Sequence, residues 1–424
     1  MPPATTRRPS PLARLSPERL MIGLVLVLVS FGLVMVYSAS SATAVLTDTN
    51  PSGLVLRQAI AAALGVAAFV VMSRMNPAAL RRLSRPLLVV AVVLLVAVLV
   101  PGIGTTVNGS QRWITLGAFG QIQPSELAKL AVVLWIAAAI AKEPARVRRK
   151  DGLVPYLGVA AVPALLILVE PDLGTTVVLL VAAAAVLAVA GARPRQLAAA
   201  GAGAVVLGGF AIMFADYRRD RLFAFIDPWS DQGGAGFQAV QAQLALGSGG
   251  VTGVGLGDGI QKAFYLPEAD TDMILAAVGE ELGLVGVFAA LAAFALFAIT
   301  GYRIALGAPD LHLQLVAAGV TTLVVGQAVV NIGAVLGMMP VTGVPLPFIS
   351  SGGSSLIVVL ASAGLLVNIA RRSDAVRAGE RAPTQSGDRR RGDGGSRDAG
   401  SGGRRRAVAS GGRGDLRRHA AGRG

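Results

Sequence analysis

The sequence predicts an all-α polytopic membrane protein: about ten transmembrane helices, a long extracellular loop between the seventh and eighth, and a disordered cytoplasmic tail. Three observations predict it. Of 424 residues, 54% are hydrophobic and 15% charged, with mean hydropathy +0.65. The apolar residues arrive in runs of roughly 18 to 25, the length that crosses a bilayer. Runs such as Leu173 to Ala192 are apolar on every face, where a helix of a soluble core would show apolar residues only with period 3.6.

The runs place spans at about 20–37, 57–74, 85–102, 124–141, 153–170, 173–192, 196–214, 273–302, 313–337 and 351–370. Cytoplasmic loops retain Lys and Arg, so basic residues set the orientation. Arg7, Arg8, Arg14 and Arg19 precede the first span, Arg74, Arg81, Arg82 and Arg85 follow the second, and Lys142, Arg146, Arg148, Arg149 and Lys150 follow the fourth. Arg193 with Arg195, then Arg303, then the tail continue this alternation. Both termini are therefore expected in the cytoplasm. The organisation is a basic N-terminus (1–19), a membrane domain (20–370) whose large outer loop is 216–271, and an Arg/Gly-rich tail (371–424).

Formal charge is +14. In a soluble chain that would suggest nucleic acid, but the tail alone has 15 Arg against 6 acids, so +9 of the charge sits in a segment unable to bury a core. It reads as a solvated topology determinant that also touches anionic lipid head groups, with RNA binding the alternative. Cysteine is absent, which excludes disulfides, thiolate nucleophiles and zinc knuckles. The two histidines, His312 in an expected cytoplasmic loop and His419 in the tail, leave acid/base chemistry on the outer side to Asp, Glu, Lys or Tyr. The first span lacks the cleavage site of a removable signal peptide.

Four outward-facing segments concentrate the polar residues near apolar spans. Tyr265 to Gly283 reads YLPEADTDMILAAVGEELG, running Glu268, Asp270, Asp272, Glu280 and Glu281 from a Pro-marked loop into an apolar helix. Hydrocarbon does not solvate a carboxylate, so such acids are functional candidates with a buried partner or a water-filled cavity. At 100° per residue Gly279, Gly283 and Gly286 form a stripe beneath Asp272, which would hold it rigidly at the outer mouth. Asp272 is the first candidate for chemistry, and Glu280 and Glu281 for structural pairing.

Val107 to Lys129 carries an Asn108-Gly109 turn signal, Arg112, interfacial Trp113, and a helix start at Pro124-Ser125. Glu126 and Lys129 at i, i+3 share one helix face. They form either a buried ion pair joining helices or, with Arg112, a positive surface for an anionic ligand. Glu170 to Thr176, EPDLGTT, is a tight turn in which Asp172 can cap the following helix, with a catalytic role the lesser alternative. Asp216 to Thr271 is the one long loop, with Arg218, Arg219 and Arg221, a short amphipathic helix in GFQAVQAQLALGSGG, a Gly-rich flexible hinge, and Lys262 just before the acidic run. Met339 to Leu356, MPVTGVPLPFISSGGSSL, cannot be a continuous helix. Its backbone must break near the membrane edge and line a cavity, with Ser350, Ser351, Ser354 and Ser355 as donors in a polar floor; Ser350, Ser351, Gly352 and Gly353, with Asp270 and Lys262, are candidates for binding substrate.

NGSQRWI with QPSELAKL, EPDLGTT, YLPEADTD with GEELGLVG, and PVTGVPLPFISSGGSS stand in an order and spacing that resemble the SEDS family, the shape, elongation, division and sporulation proteins, over residues 20 to 370. The resemblance implies a ten-span peptidoglycan glycosyltransferase that polymerises lipid II at the outer face of the bacterial cytoplasmic membrane. It implies a class B penicillin-binding protein and other divisome membrane proteins as partners, and Asp272 as the essential catalytic residue. LPEA in place of LPEQ, and the basic tail, resemble the division branch and a septal location more than the elongation branch. ADTD departs from the family's frequent AHTD, so Asp270 adds an acid two residues before Asp272; if both face one cavity, one pKa should rise.

The expected reaction is a single inverting displacement with Asp272 as general base. Arg112, Lys129 and the Arg218 to Arg221 cluster are candidates to stabilise the leaving pyrophosphate, with or without a divalent cation, magnesium or manganese, held by acids. The competing class is a lipid II flippase or other carrier, since intramembrane charge and Pro-broken helices also occur in transporters. The polar residues cluster at the outer mouth rather than through the midplane, which favours the polymerase.

Overall fold

The computed structural model describes residues 16–46, 52–107, 109–115, 117 and 120–381. The N-terminal basic residues through Arg14, Asn108 of the turn signal, and the tail beyond Arg381 with His419 lie outside the described residues.

Thirteen α-helices occur among the described residues. The first seven are α1 (Pro17–Leu46), α2 (Ser52–Arg74), α3 (Pro77–Leu99), α4 (Pro124–Lys142), α5 (Val154–Val169), α6 (Leu173–Val189) and α7 (Pro194–Met213). Three short helices follow, α8 (Asp216–Ile226), α9 (Phe237–Ser248) and α10 (Gln261–Phe264), and then α11 (Ile274–Leu306), α12 (Leu311–Val335) and α13 (Gly353–Arg381). Eight of these contain stretches long and apolar enough to cross a membrane, and the shorter α5 and α6 coincide with two further expected spans.

The termini follow local chemistry. Pro77, Pro124 and Pro194 stand at helix starts, where a missing N–H costs nothing. Asn76, Asp172 and Asp310 cap α3, α6 and α12 by accepting from Ala78, Thr175 and Leu313 N–H groups. Because α3 begins at Pro77, three residues after Arg74, Arg81, Arg82 and Arg85 lie in its first turns rather than in a loop. His312 is likewise in the first turn of α12 and buried, not in a loop. The α13 helix continues to Arg381, past the expected boundary at 370.

The α12 helix is the axis of the bundle, packed against α4, α6 and α11, and both α12 and α4 are buried over most of their length. No residue of α7 is buried, as expected for an apolar helix facing lipid on all sides. Between α3 and α4 the chain forms a feature absent from the sequence reading, a small antiparallel sheet of β1 (Gly104–Val107), β2 (Ser110–Thr115) and β3 (Gln121–Ile122) in the order β1-β2-β3.

The expected glycine stripe does not form. Gly283 has φ 64 and ψ −161, a conformation essentially reserved for glycine, so α11 breaks there and Gly279 and Gly286 belong to separate helical segments. The freed groups are satisfied by 250–255: Val254 and Gly255 N–H donate to the Glu280 and Glu281 carbonyls, while Leu284 and Val285 N–H donate to those of Gly250 and Val251. The glycine-rich stretch expected as a flexible hinge is therefore docked against α11. A Cβ on Gly249 would lie 1.9 Å from the Gly279 carbonyl oxygen, which explains why the contact needs glycine.

Candidate active site

Asp272 sits in the turn just before α11 and is largely buried. Its backbone carbonyl accepts from Asn331 Nδ2 at 2.7 Å, and the same amide nitrogen donates to the Val344 carbonyl at 2.8 Å. Ser350 Oγ donates to the Thr271 carbonyl at 2.6 Å, and Ser351 N–H donates to the Asp270 carbonyl at 2.7 Å. The acidic turn is thus stitched to the Pro-broken segment before α13. That segment's own carbonyls are met by side chains, Gln327 on Pro345, Gln58 on Ser350 and Arg221 on Val341, as backbone at membrane depth requires. Phe348 takes φ 66 there, held by Phe297 with ring centroids 5.7 Å apart and by the close approach of α1 at Gly32.

The Asp272 carboxylate receives Thr271 Oγ1 at 3.4 Å and Gln238 Nε2 of α9 at 3.5 Å. Gln238 also lines a cavity of about 70 Å³ with Arg221, Gln243 and Val341. Across from it stands Arg112: a Cβ on Gly343 would be 3.8 Å from Arg112 Nη1 and 3.9 Å from Asp272 Oδ2, so both groups border one point. Burial pushes the Asp272 carboxyl up to about 7, with Glu268 adding to the rise and Arg221 opposing it. Asp270 is also raised, chiefly by burial. The carboxylate that acts on Asp272 is therefore Glu268, and not Asp270, whose neighbour is Ser351.

Arg112 is buried and fixed on EPDLGTT, with Nε donating to the Glu170 carbonyl at 3.0 Å, Nη2 to the Pro171 carbonyl, and Nη1 3.7 Å from Asp172 Oδ2. Asp172 also accepts from Thr175 N–H, the expected cap, and from Gln123 at 3.4 Å.

Other candidates lie apart from this group. Lys129 is fully buried, paired with Glu126 of its own helix at 2.8 Å and donating to Gln327 at 2.7 Å, the bond that joins α4 to α12. Lys262 is fully buried against Glu281 and Ser38 of α1, and Glu280 accepts the backbone N–H groups of Ile260, Gln261 and Lys262. Arg218 donates to the Ala211 carbonyl, and Gly352 and Gly353 lead into α13, whose Ser354 and Ser355 accept from Gln123 N–H and Gln327. Sequence reasoning missed Glu268's coupling, Gln238, Gln327 and Asn331. Two amides four residues apart in an apolar helix were the available signal for the last two. Among the described residues no cluster of three or more His, Cys, Asp or Glu side chains could hold a metal ion.

The chain is 43% identical over 350 residues to the probable peptidoglycan glycosyltransferase FtsW of Geobacter metallireducens, covering 81% of this chain and 92% of that protein. It is 41% identical over 361 residues to the stage V sporulation protein E of Bacillus subtilis, covering 84% and 98%. Among solved structures it is similar to a chain from work on the structural coordination of polymerization and crosslinking by a peptidoglycan synthase complex, with TM-score 0.70 and 31% identity over 83% of this chain and 97% of that one. The family model for the FtsW, RodA and SpoVE cell cycle proteins matches residues 18–375. The chain belongs to that family, the SEDS proteins.

Proposed function

We propose that the chain is a peptidoglycan polymerase that joins lipid II disaccharides into β-1,4 glycan strands at the outer face of the cytoplasmic membrane, for septal wall synthesis. The observation that carries this reading is Asp272, a largely buried carboxyl pushed up to about 7 at the end of the molecule where the broken backbone gathers, with Arg112 bordering the same point.

In the proposed reaction, Asp272 takes the proton from the 4-hydroxyl of the acceptor GlcNAc as that oxygen bonds to the anomeric carbon of the donor MurNAc. The bond from that carbon to undecaprenyl pyrophosphate breaks with its electron pair, inverting α to β. A base whose pKa lies near the working pH is well matched to this step. Arg112 and Arg221 stabilise the departing pyrophosphate charge. Lys129 with Gln327, and Lys262 with Glu281 and Ser38, hold helices together.

The expected orientation has both termini in the cytoplasm, and the partner is a class B penicillin-binding protein within the divisome. The similarity to the peptidoglycan synthase complex supports that partner. Purified protein given labelled lipid II should yield glycan strands on a product gel. Translocation of the lipid without strands would instead support the carrier.

A further inference from the structure

The α3–α4 hairpin has a second polar feature at the end opposite the candidate active site. Where the start of α3 meets the end of α4 there is a cavity of about 320 Å³ lined by Arg81, Arg82, Arg85, Lys142, Trp135 and two alanines. That volume is at the low end of pockets that hold small organic ligands. Arg81 is 3.1 Å from Asp310. Among the described residues no acid pairs with Arg82, Arg85 or Lys142. Glu143, next in sequence to Lys142, is turned to Arg146 and Arg149 at 3.7 and 3.9 Å. Three cations converging on one cavity repel one another unless an anion lies between them. Setting topology requires bases on the correct side of the membrane but not their convergence.

The surroundings favour a lipid. Val89, Val93 and Val96 of α3 are exposed at 61%, 59% and 49%, an apolar strip in helical register with Arg82 and Arg85, while Trp135 supplies an interfacial aromatic wall.

We propose that this cavity binds the phosphate of an anionic phospholipid, phosphatidylglycerol in chemical class. Arg82 and Arg85 supply guanidinium forks for the phosphate oxygens, Lys142 adds a point charge, and the acyl chains lie along the α3 strip. Assignment to the inner leaflet rests on the orientation proposed above; the binding chemistry does not.

The test is lipid retention by the purified full-length protein, followed by native mass spectrometry. Wild type should retain phosphatidylglycerol over phosphatidylcholine, and R82Q/R85Q should weaken phosphatidylglycerol retention about thirtyfold. K142Q should weaken it about fivefold, and R195Q, an exposed base at the start of α7, should leave it unchanged. Should the double variant not fold, K142Q and the loss of wild-type retention with added salt carry the test. Equal retention of the two lipids, or wild-type retention by the arginine and lysine variants, overturns the proposal. So does displacement of phosphatidylglycerol by equimolar inorganic phosphate, which would mark a soluble-anion site, or by undecaprenyl pyrophosphate, which would mark a substrate site. Retention needs no polymerisation, so a protein that holds phosphatidylglycerol yet makes no glycan would refute the proposed activity and leave this site standing.

Discussion

The side-chain amide of Asn331 on α12 donates to the backbone carbonyls of both Asp272 and Val344, at 2.7 and 2.8 Å. One buried residue of the bundle axis thus positions two non-helical segments against each other. Asn331→Leu should strand both carbonyls, each costing about 1–3 kcal/mol. Thermal unfolding in detergent should show a lower Tm, and polymerisation should fall further than stability alone explains. An unchanged rate and Tm would show that the amide is dispensable.

The raised Asp272 carboxyl sets the direction of the pH profile. As general base it works deprotonated, so kcat/KM should rise about tenfold per pH unit below pH 7 and level off above it. Glu268 raises this pKa and Arg221 lowers it, so E268Q should move the midpoint to lower pH and R221Q to higher pH. Rate measurements from pH 5.5 to 8.5 on a substrate of constant charge check both signs.

The same shift is a stability statement. A carboxyl with a folded pKa above its unfolded value loses stability as pH rises between the two, here from about 4 to about 7. Asp272→Asn removes that loss, so its Tm relative to wild type should be higher at pH 8 than at pH 4.5. A constant difference would mean that Asp272 does not titrate in this range.

Gly283→Ala should fail structurally. Its φ of 64 with ψ −161 is glycine territory, and a Cβ would lie 2.4 Å from Gly253 N and 2.5 Å from the Val251 carbonyl oxygen. The cost should exceed about 2 kcal/mol, read as lost Tm or yield. Gly326→Ala, with open space around its α12 position, should be neutral or stabilising.

Lys262 and Glu281 form a buried pair whose removal by halves should be asymmetric. Lys262→Met leaves an uncompensated buried carboxylate, costing about 3–5 kcal/mol. K262M/E281L should recover most of it in the same unfolding assay. If the double variant is as unstable as the single, the pair is not the reason for Lys262's place.

The spans were legible because apolar length is a direct physical signature: a 20-residue run has few other stable fates. Asp172 as a cap followed from local spacing alone, while the spacing of Glu126 and Lys129 left an ion pair and an anion-binding surface both open. What was not legible depended on distant backbone. The register argument for the glycine stripe assumed an unbroken helix, but Gly283 breaks it to exchange hydrogen bonds with 250–255, about 30 residues earlier in the chain. The support of Asp272 by Asn331, and its coupling to Glu268 rather than Asp270, also arise from tertiary contacts that no local period encodes. Likewise β3, of two residues, is too short to show alternation, and the six residues of β2, SQRWIT, do not alternate apolar with polar.

The central claim is that Asp272 carries the proton transfer. Labelled lipid II incubated with purified wild type and with Asp272→Asn, with and without chelator, measures it most directly. Wild type should yield glycan strands, and the folded variant at least a hundredfold less in either condition. Strands of normal length and rate from Asp272→Asn would contradict it.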